Sequence, residues 1–335
     1  MCGAASGGHG PPARGRFASC QSILEGPEAG AKILLARFGR GNPESLPGCL
    51  AGKPQQCRRF GGRDVSNDRL HRERDFYEKR SSLRGEALAD ETLCFEDSVY
   101  VDHESWVRDT FELLGDLQGK RVLDYGTGDG MSATVLARLK GDVFAFDIAF
   151  GNAVLSARRA YANGVGGRVH LQEMAGESLG YRDESFDAIY GNAVLHHVDL
   201  ELAGKEIARV LRPGGIAVFS EPWGGNPILE FVRKRIPYRG KDRTEDEEPI
   251  RQKDIETLRK NFPWIEMRGY QLFSMIRRLF RWKVLIDLLE VIDRILLRVF
   301  PWLQRYCRYA VIVMRKGGPQ AGEGAPITPP GAGKN

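Results

Sequence analysis

Between residues 120 and 220 the sequence predicts a doubly wound α/β fold, and three observations carry that prediction. Short apolar runs recur at 122–123, 143–146, 169–171, 188–190 and 216–219, each of a length that suits a buried strand. Amphipathic stretches separate them at about 131–140, 152–162 and 200–211. Strands alternating with helices imply a parallel sheet with right-handed crossovers. The third observation is Arg121-Val122-Leu123-Asp124-Tyr125-Gly126-Thr127-Gly128-Asp129-Gly130. Here a strand enters a loop with glycine at three alternate positions, and a helix follows at once. In open α/β sheets ligands bind at this carboxyl edge of the strands.

The elements outside this core follow in order. Residues 1–62 are rich in glycine, proline and arginine, with one short apolar run at 33–38. Such composition does not bury enough surface to offset chain entropy, so the sequence predicts a disordered tail. Residues 317–335 repeat the pattern, and 1–30 lack the apolar stretch of a secretory peptide. A folded domain is expected over 63–316. It opens with a short solvated helix at 66–80, striped by Leu70, Phe76 and Tyr77. A second helix at 103–114 places Trp106, Val107, Thr110, Phe111 and Leu114 at helical spacing. The helix at 200–211 stops at Pro213-Gly214-Gly215, a breaker and a turn together. Asp187, at a strand start, is expected to bind neighbouring backbone amides.

Composition narrows the function classes. The chain has 335 residues, 42% hydrophobic and 28% charged, enough for a sizeable core. Its 49 Lys+Arg against 44 Asp+Glu leave +5, too balanced for a nucleic-acid binder. Cys2, Cys20, Cys49, Cys57, Cys94 and Cys307 show no C-x-x-C spacing. Neither a zinc site nor a disulfide framework is expected, and the reading is a reducing, cytoplasmic setting.

The glycine loop admits more than one ligand, and two details separate them. Asp147 lies 21 residues beyond Gly126 at the end of the second strand, where a carboxylate accepts both hydroxyls of a ribose. The dehydrogenase fingerprint G-x-G-x-x-G, started at Gly126, needs glycine where this chain has Met131. The NTPase pattern G-x-x-x-x-G-K-[ST] is not matched either. Asp124 adds an anion at the strand end, which repels a pyrophosphate and favours a cationic ligand. An NAD-dependent oxidoreductase therefore remains only as a minor alternative.

Val122-Leu123-Asp124-x-Gly126-x-Gly128-x-Gly130 resembles the first motif of the class I S-adenosylmethionine-dependent methyltransferases. Three further stretches resemble that family in order: Asp147, then Glu184-Ser185-Phe186-Asp187-Ala188-Ile189-Tyr190 with Asn192-Ala193-Val194-Leu195-His196-His197, then Leu211-Arg212-Pro213-Gly214-Gly215. The subgroup it resembles is the type 11 small-molecule methyltransferases, which include quinone-biosynthesis enzymes. The resemblance implies a mostly parallel, seven-stranded Rossmann-like sheet and S-adenosyl-L-methionine as cofactor. It places Gly126, Thr127, Gly128 and Gly130 against the methionine part, with Asp124 near its ammonium group. Asp147 would hold the ribose and Ile148 the adenine, with Asn192 beneath the cofactor. The family often has Asp-Ala after the third strand; here Ala175-Gly176 stands there, so adenine recognition falls to backbone groups or Glu177.

The implied chemistry is O- or C-methylation of a small organic acceptor by in-line displacement, which needs no nucleophile on the protein. A base matters only where the acceptor must lose a proton. His197, His196 and Glu221 follow the fourth and fifth strands at the ligand edge and are the candidates for that role. The bland reading of the histidines is a hydrogen-bonded pair that shapes the pocket. No metal site is expected. Residues 222–249 are read as a lid, with the charged run 241–248 a solvated loop. A cofactor-binding scaffold without catalysis is the remaining alternative.

The resemblance makes 266–274 and Tyr309–Arg315 the last two strands, with a helical insertion at 275–308 before the final one. Lys283, Asp287, Glu290, Arg294 and Arg298 mark one polar helix face, and the rest is broadly apolar. Charges interrupt it too often for a membrane span. Three coverings of the apolar face are open: packing on the domain, a homodimer, or peripheral membrane contact through 275–300. In the last, Arg277, Arg278, Arg281 and Lys283 face anionic lipid. A membrane contact would suit a lipophilic acceptor.

Overall fold

The structure is a computed structural model, and it describes residues 65–87, 92–235, 248–278 and 282–317. The expected tail at 1–62, the tail at 318–335 and most of the 241–248 run lie outside the described residues. Helix α1 (Val65–Ala87) is followed by α2 (Asp97–Val101) and α3 (Ser105–Leu114). The core then runs β1 (Arg121–Tyr125), α4 (Met131–Arg138), β2 (Asp142–Asp147), α5 (Phe150–Ala162), β3 (Val169–Glu173), β4 (Phe186–Asn192), α6 (Leu200–Val210) and β5 (Leu211–Pro222). The remainder is α7 (Pro227–Arg235), α8 (Gln252–Arg259), β6 (Trp264–Tyr270), α9 (Lys283–Val299) and β7 (Tyr309–Arg315).

The seven strands form one sheet in the order β3-β2-β1-β4-β5-β7-β6. Strands β1 to β5 pair in parallel, and β7 runs antiparallel to both β5 and β6. Strand alternation splits the core into two layers. Leu123, Tyr125, Phe146, Ile189 and Phe219 pack on one face, towards α6 and α8. Val122, Val143, Ala188, Tyr190 and Val218 pack on the other against Trp106, Val107 and Phe111 of α3. Asp187 accepts the Arg121 amide at 2.9 Å and the Arg212 guanidinium at 2.5 Å, tying the strand starts together.

The structure departs from expectation in three places. Pro213-Gly214-Gly215 lies within β5 as an irregularity, where the register passes from Phe186↔Leu211 to Ala188↔Ile216. Gly214 has φ 76°, which permits that kink. Strand β6 ends at Tyr270, short of residue 274, because Gln271 turns to φ 60°. The next three amides then leave the ladder: Leu272, Phe273 and Ser274 donate to Asp293 at 2.9–3.0 Å. Cys94 is disulfide-bonded, against the expectation of reduced thiols, while Cys307 is free and buried.

The antiparallel strands fix where the insertion emerges. Pro222 at the end of β5 pairs with Tyr309, and Tyr309 pairs with Tyr270 at the end of β6. Residues 271–308 therefore leave the sheet at the carboxyl edge of the parallel strands, the edge that carries the glycine loop.

Candidate functional site

The loop after β1 has a shape that only glycine supplies at two of its positions. Gly126 and Gly130 adopt φ 75° and 82°, in the left-handed region. A Cβ at Gly126 would lie 2.5 Å from Val194 Cγ2, and one at Gly130 would lie 2.5 Å from Ser156 Cα on α5. Gly128, by contrast, faces open space. The Thr127 amide donates to the Phe146 carbonyl at 2.9 Å and the Gly128 amide to Asp147 Oδ2 at 3.0 Å, which stitches the loop to the end of β2.

Two buried carboxylates flank this loop. Asp124 accepts Ser132 Oγ at 2.8 Å. Burial pushes its carboxyl up to about 6, opposed by hydrogen bonds from Thr127 and Ser132. Asp147 Oδ1 accepts the Ala149 amide at 2.9 Å and Asn152 Nδ2 at 3.0 Å. Burial raises its carboxyl too, and these donors pull the other way.

The turn after β4 gives the two histidines different partners. Glu221, fully buried, accepts the amides of Val194 and Leu195 at 2.9 and 2.7 Å through Oε1. Its Oε2 lies 2.6 Å from His196 Nδ1, so His196 is turned into the protein. His197, its ring 4.0 Å from that of His196, reaches towards α1. Its Nε2 is 3.0 Å from the Tyr77 hydroxyl and its Nδ1 3.6 Å from Glu73 Oε2.

Helix α1 roofs the site. Arg69 donates to both the His197 carbonyl and Glu177 Oε1, and Glu177 Oε1 also accepts the Asp199 amide at 2.9 Å. Further along, Glu78 accepts the Gly151 amide at 3.2 Å, pinning the helix across α5. The cavity beneath holds about 180 Å³. Of the residues singled out from the sequence, Gly126, Gly128, Asp147, Ile148, Gly176, Glu177, Asn192 and His197 line it. Asp124, Thr127, Gly130, Ala175, His196 and Glu221 lie outside its lining.

Sequence reasoning missed Leu70, Glu73, Tyr77, Tyr125, Asn152 and Met174, which also line the cavity. Leu70, Glu73 and Tyr77 follow i, i+3, i+7, and that spacing was the available signal for a covering face. Tyr125 sits inside the glycine motif itself.

The cavity suits a ligand with a polar perimeter and a flat apolar part. Phe146, Ile148, Met174 and Val198 supply apolar wall. The Tyr125 hydroxyl and Glu177 Oε2 are buried with no hydrogen-bond partner among the described residues. Buried polar atoms of this kind are costly unless a ligand or water satisfies them. The Tyr125 hydroxyl lies at Gly176, where a Cβ would come within 2.0 Å of it. These orphans, the two carboxylates and the glycine loop fit S-adenosylmethionine. No group of three or more His, Cys, Asp or Glu among the described residues could hold a metal ion.

Residues 123–219 match the family described as a methyltransferase domain. The chain is 36% identical over 138 residues to the ubiquinone/menaquinone biosynthesis C-methyltransferase UbiE of Vibrio campbellii, covering 39% of this chain and 52% of that protein. It is 35% identical over 101 residues to the ubiquinone biosynthesis O-methyltransferase of Sinorhizobium medicae, covering 30% of this chain and 40% of that one. The chain thus spans about half the length, or less, of these curated relatives. The geranyl diphosphate C-methyltransferase of Streptomyces coelicolor overlaps at 16% identity and TM-score 0.42, over 62% of this chain and 76% of that one.

Proposed function

From the premise that residues 123–219 are a class I S-adenosylmethionine-dependent methyltransferase domain of type 11, we propose that the chain methylates a small organic acceptor at oxygen or carbon. The observation that carries the proposal is Asp147 at the end of β2, beside the glycine loop and an apolar cavity at the carboxyl edge. The C- and O-methyltransferase relatives named for quinone biosynthesis support a lipophilic, hydroxylated acceptor.

Bound in this cleft, the cofactor would supply an electrophilic methyl group on a sulfonium. Asp147 would hold a ribose hydroxyl through Oδ2, which accepts the Gly128 amide, while Ala149 and Asn152 take up Oδ1. Asp124, Gly126, Thr127, Gly128 and Gly130 would receive the methionine part, with the Asp124 charge matched to its ammonium. Ile148 would pack on adenine and Ala175, Gly176 and Glu177 would border it, Glu177 Oε2 accepting from its amino group. Asn192, fixed by Ser220 Oγ at 2.7 Å, would lie beneath.

On the acceptor side His197 is the candidate base. An acceptor hydroxyl replacing the Tyr77 hydroxyl would meet Nε2 at hydrogen-bond distance, with the Glu73 carboxylate 3.6 Å from Nδ1 on the far side of the ring. His196 and Glu221 act as positioning residues: the carboxylate fixes the turn that presents His197.

Titration calorimetry with S-adenosylhomocysteine and, separately, NADH tests the cofactor. Micromolar binding of the first alone is expected, weakened about 10- to 100-fold in Asp147→Ala as charge-assisted hydrogen bonds are lost. Binding of NADH instead would overturn the reading. Methyl transfer from radiolabelled cofactor to a panel of phenols and quinols tests the activity, and binding without turnover on any of them would favour the scaffold. For a phenolic acceptor His197→Gln should lower kcat far more than KM.

A further inference from the structure

The sequence left three coverings for the apolar face of the insertion, and packing on the domain accounts for only part of it: Leu285, Ile286, Leu289, Leu296 and Leu297 are half-buried. Helix α9 sits on the domain through Asp293, which is buried and accepts three backbone amides and Ser274 Oγ. Glu290 reaches Arg277, and Arg277 also meets Glu104. Arg277 is therefore held in the protein and not directed towards lipid. The outward side carries an uncovered arc of Val284, Leu288, Val291, Ile295 and Val299. Trp282 extends it at one end, 73% exposed, and Trp302 at the other, 45% exposed. Contiguous apolar surface of this kind marks an interaction face.

Charge decides what covers it. Lys283, Arg294 and Arg298 run along the same helix beside the apolar arc, with Asp287 the one exposed acid among them, Glu290 being half-buried against Arg277, and Arg305 stands beside Trp302. These four cations are exposed. A second copy packed face to face would set one cationic strip against another. An anionic lipid surface instead accepts the apolar arc, neutralises the cations and suits tryptophans at the depth of the headgroups. No helix among the described residues is long and apolar enough to cross a membrane, which is consistent with lying on one.

Placement adds a second argument. The insertion leaves the sheet at the carboxyl edge, and its last turn binds the segment that follows β5. Trp223 Nε1 donates to the Arg305 carbonyl at 3.0 Å and Asn226 Nδ2 to the Tyr306 carbonyl at 2.6 Å. The insertion thus packs at the sheet edge that carries the glycine loop. We infer that α9, with Trp282 and Trp302, docks the protein on an anionic membrane surface, so that its site works on an acceptor held in the lipid. The docking stands apart from the proposed activity, since it is read with no cofactor or acceptor present.

The test is co-sedimentation of the full chain with vesicles of phosphatidylglycerol and phosphatidylcholine, against phosphatidylcholine alone. Binding should require the anionic lipid and weaken with salt. Val291→Glu combined with Ile295→Glu, and separately Arg294→Glu combined with Arg298→Glu, should each raise the half-saturating lipid concentration at least about ten-fold. An unchanged thermal midpoint shows that the variants fold. Quenching of wild-type tryptophan fluorescence by brominated lipid gives a readout independent of any variant, because Trp106, Trp223 and Trp264 are buried and only Trp282 and Trp302 are exposed. Absence of binding at low salt would overturn the inference. So would a wild-type dimer in sedimentation velocity that Val291→Glu with Ile295→Glu dissociates.

Discussion

The glycine loop and the insertion stand at the same edge of the sheet and place their polar and apolar groups in opposite ways. Around the loop, carboxylates are buried and apolar side chains fill the sheet's two layers. In the insertion one buried carboxylate anchors a helix whose apolar arc faces out. Both use an aspartate to satisfy backbone amides that leave regular structure: Asp147 for Gly128 and Ala149, Asp293 for residues 272–274. The first arrangement leaves an enclosed cavity and the second an exposed face. A buried carboxylate fixes backbone in either case, and what surrounds it decides whether the result is a pocket or a platform.

The strongest challenge to the first region is Gly130→Val. It places a side chain on Ser156 at a left-handed φ, so a loss of about 3 kcal/mol or more is expected, read as a lower urea midpoint. Gly128→Ala sharpens the point: with open space around it, only backbone strain of about 1–2 kcal/mol should appear. In the second region Asp293→Ala leaves three amides without their acceptor. The expected cost is again about 3 kcal/mol, but local. Hydrogen exchange should accelerate in 271–278 and 283–299 while amides of β1 and β4 stay protected.

A smaller effect concerns pH. The carboxyl of Asp124 is raised by burial, so the folded state keeps its proton where the unfolded chain has released it. Stability from this group is present at low pH and declines as pH rises from about 4 to about 6. If Asp124 meets the cofactor's ammonium, affinity should move in the opposite direction. It should tighten as pH approaches 6 and then level off, with proton release on binding below that point. Calorimetry in buffers of different ionisation enthalpy measures this, and Asp124→Asn should abolish the release. The smallest effect belongs to the platform: Leu288→Ser should change stability in solution by under about 0.5 kcal/mol, whereas Leu123→Ala in the core should cost about 2–5 kcal/mol.

Much of the site was legible because its signals are local. Apolar runs marked five strands, and β7 falls where the sequence placed it, at Tyr309–Arg315. Gly126 and Gly130 announced a loop because their backbone conformation excludes other residues. Helix α1 was legible only as a helix. It is charged nearly throughout, and the residues that roof the cavity are fixed by partners over 100 positions away: Arg69 by Glu177, Tyr77 by His197. Periodicity carries no trace of such pairs. The same holds for His196 and His197, whose rings lie 4.0 Å apart and yet have different partners, Glu221 for the first and Tyr77 for the second.

By itself, then, the sequence determined the alternation of strands and helices, the glycine loop and the carboxylates beside it, since each depends on neighbours a few residues away. The direction of helix α9 was another matter. Its sequence gives an apolar arc and a charged strip without saying which side meets the domain. Asp293, Glu290 and Arg277 settle that through contacts with Leu272, Ser274 and Glu104. A buried charge must find its hydrogen bonds wherever the folded chain supplies them. Satisfying that requirement turned the apolar arc to the outside.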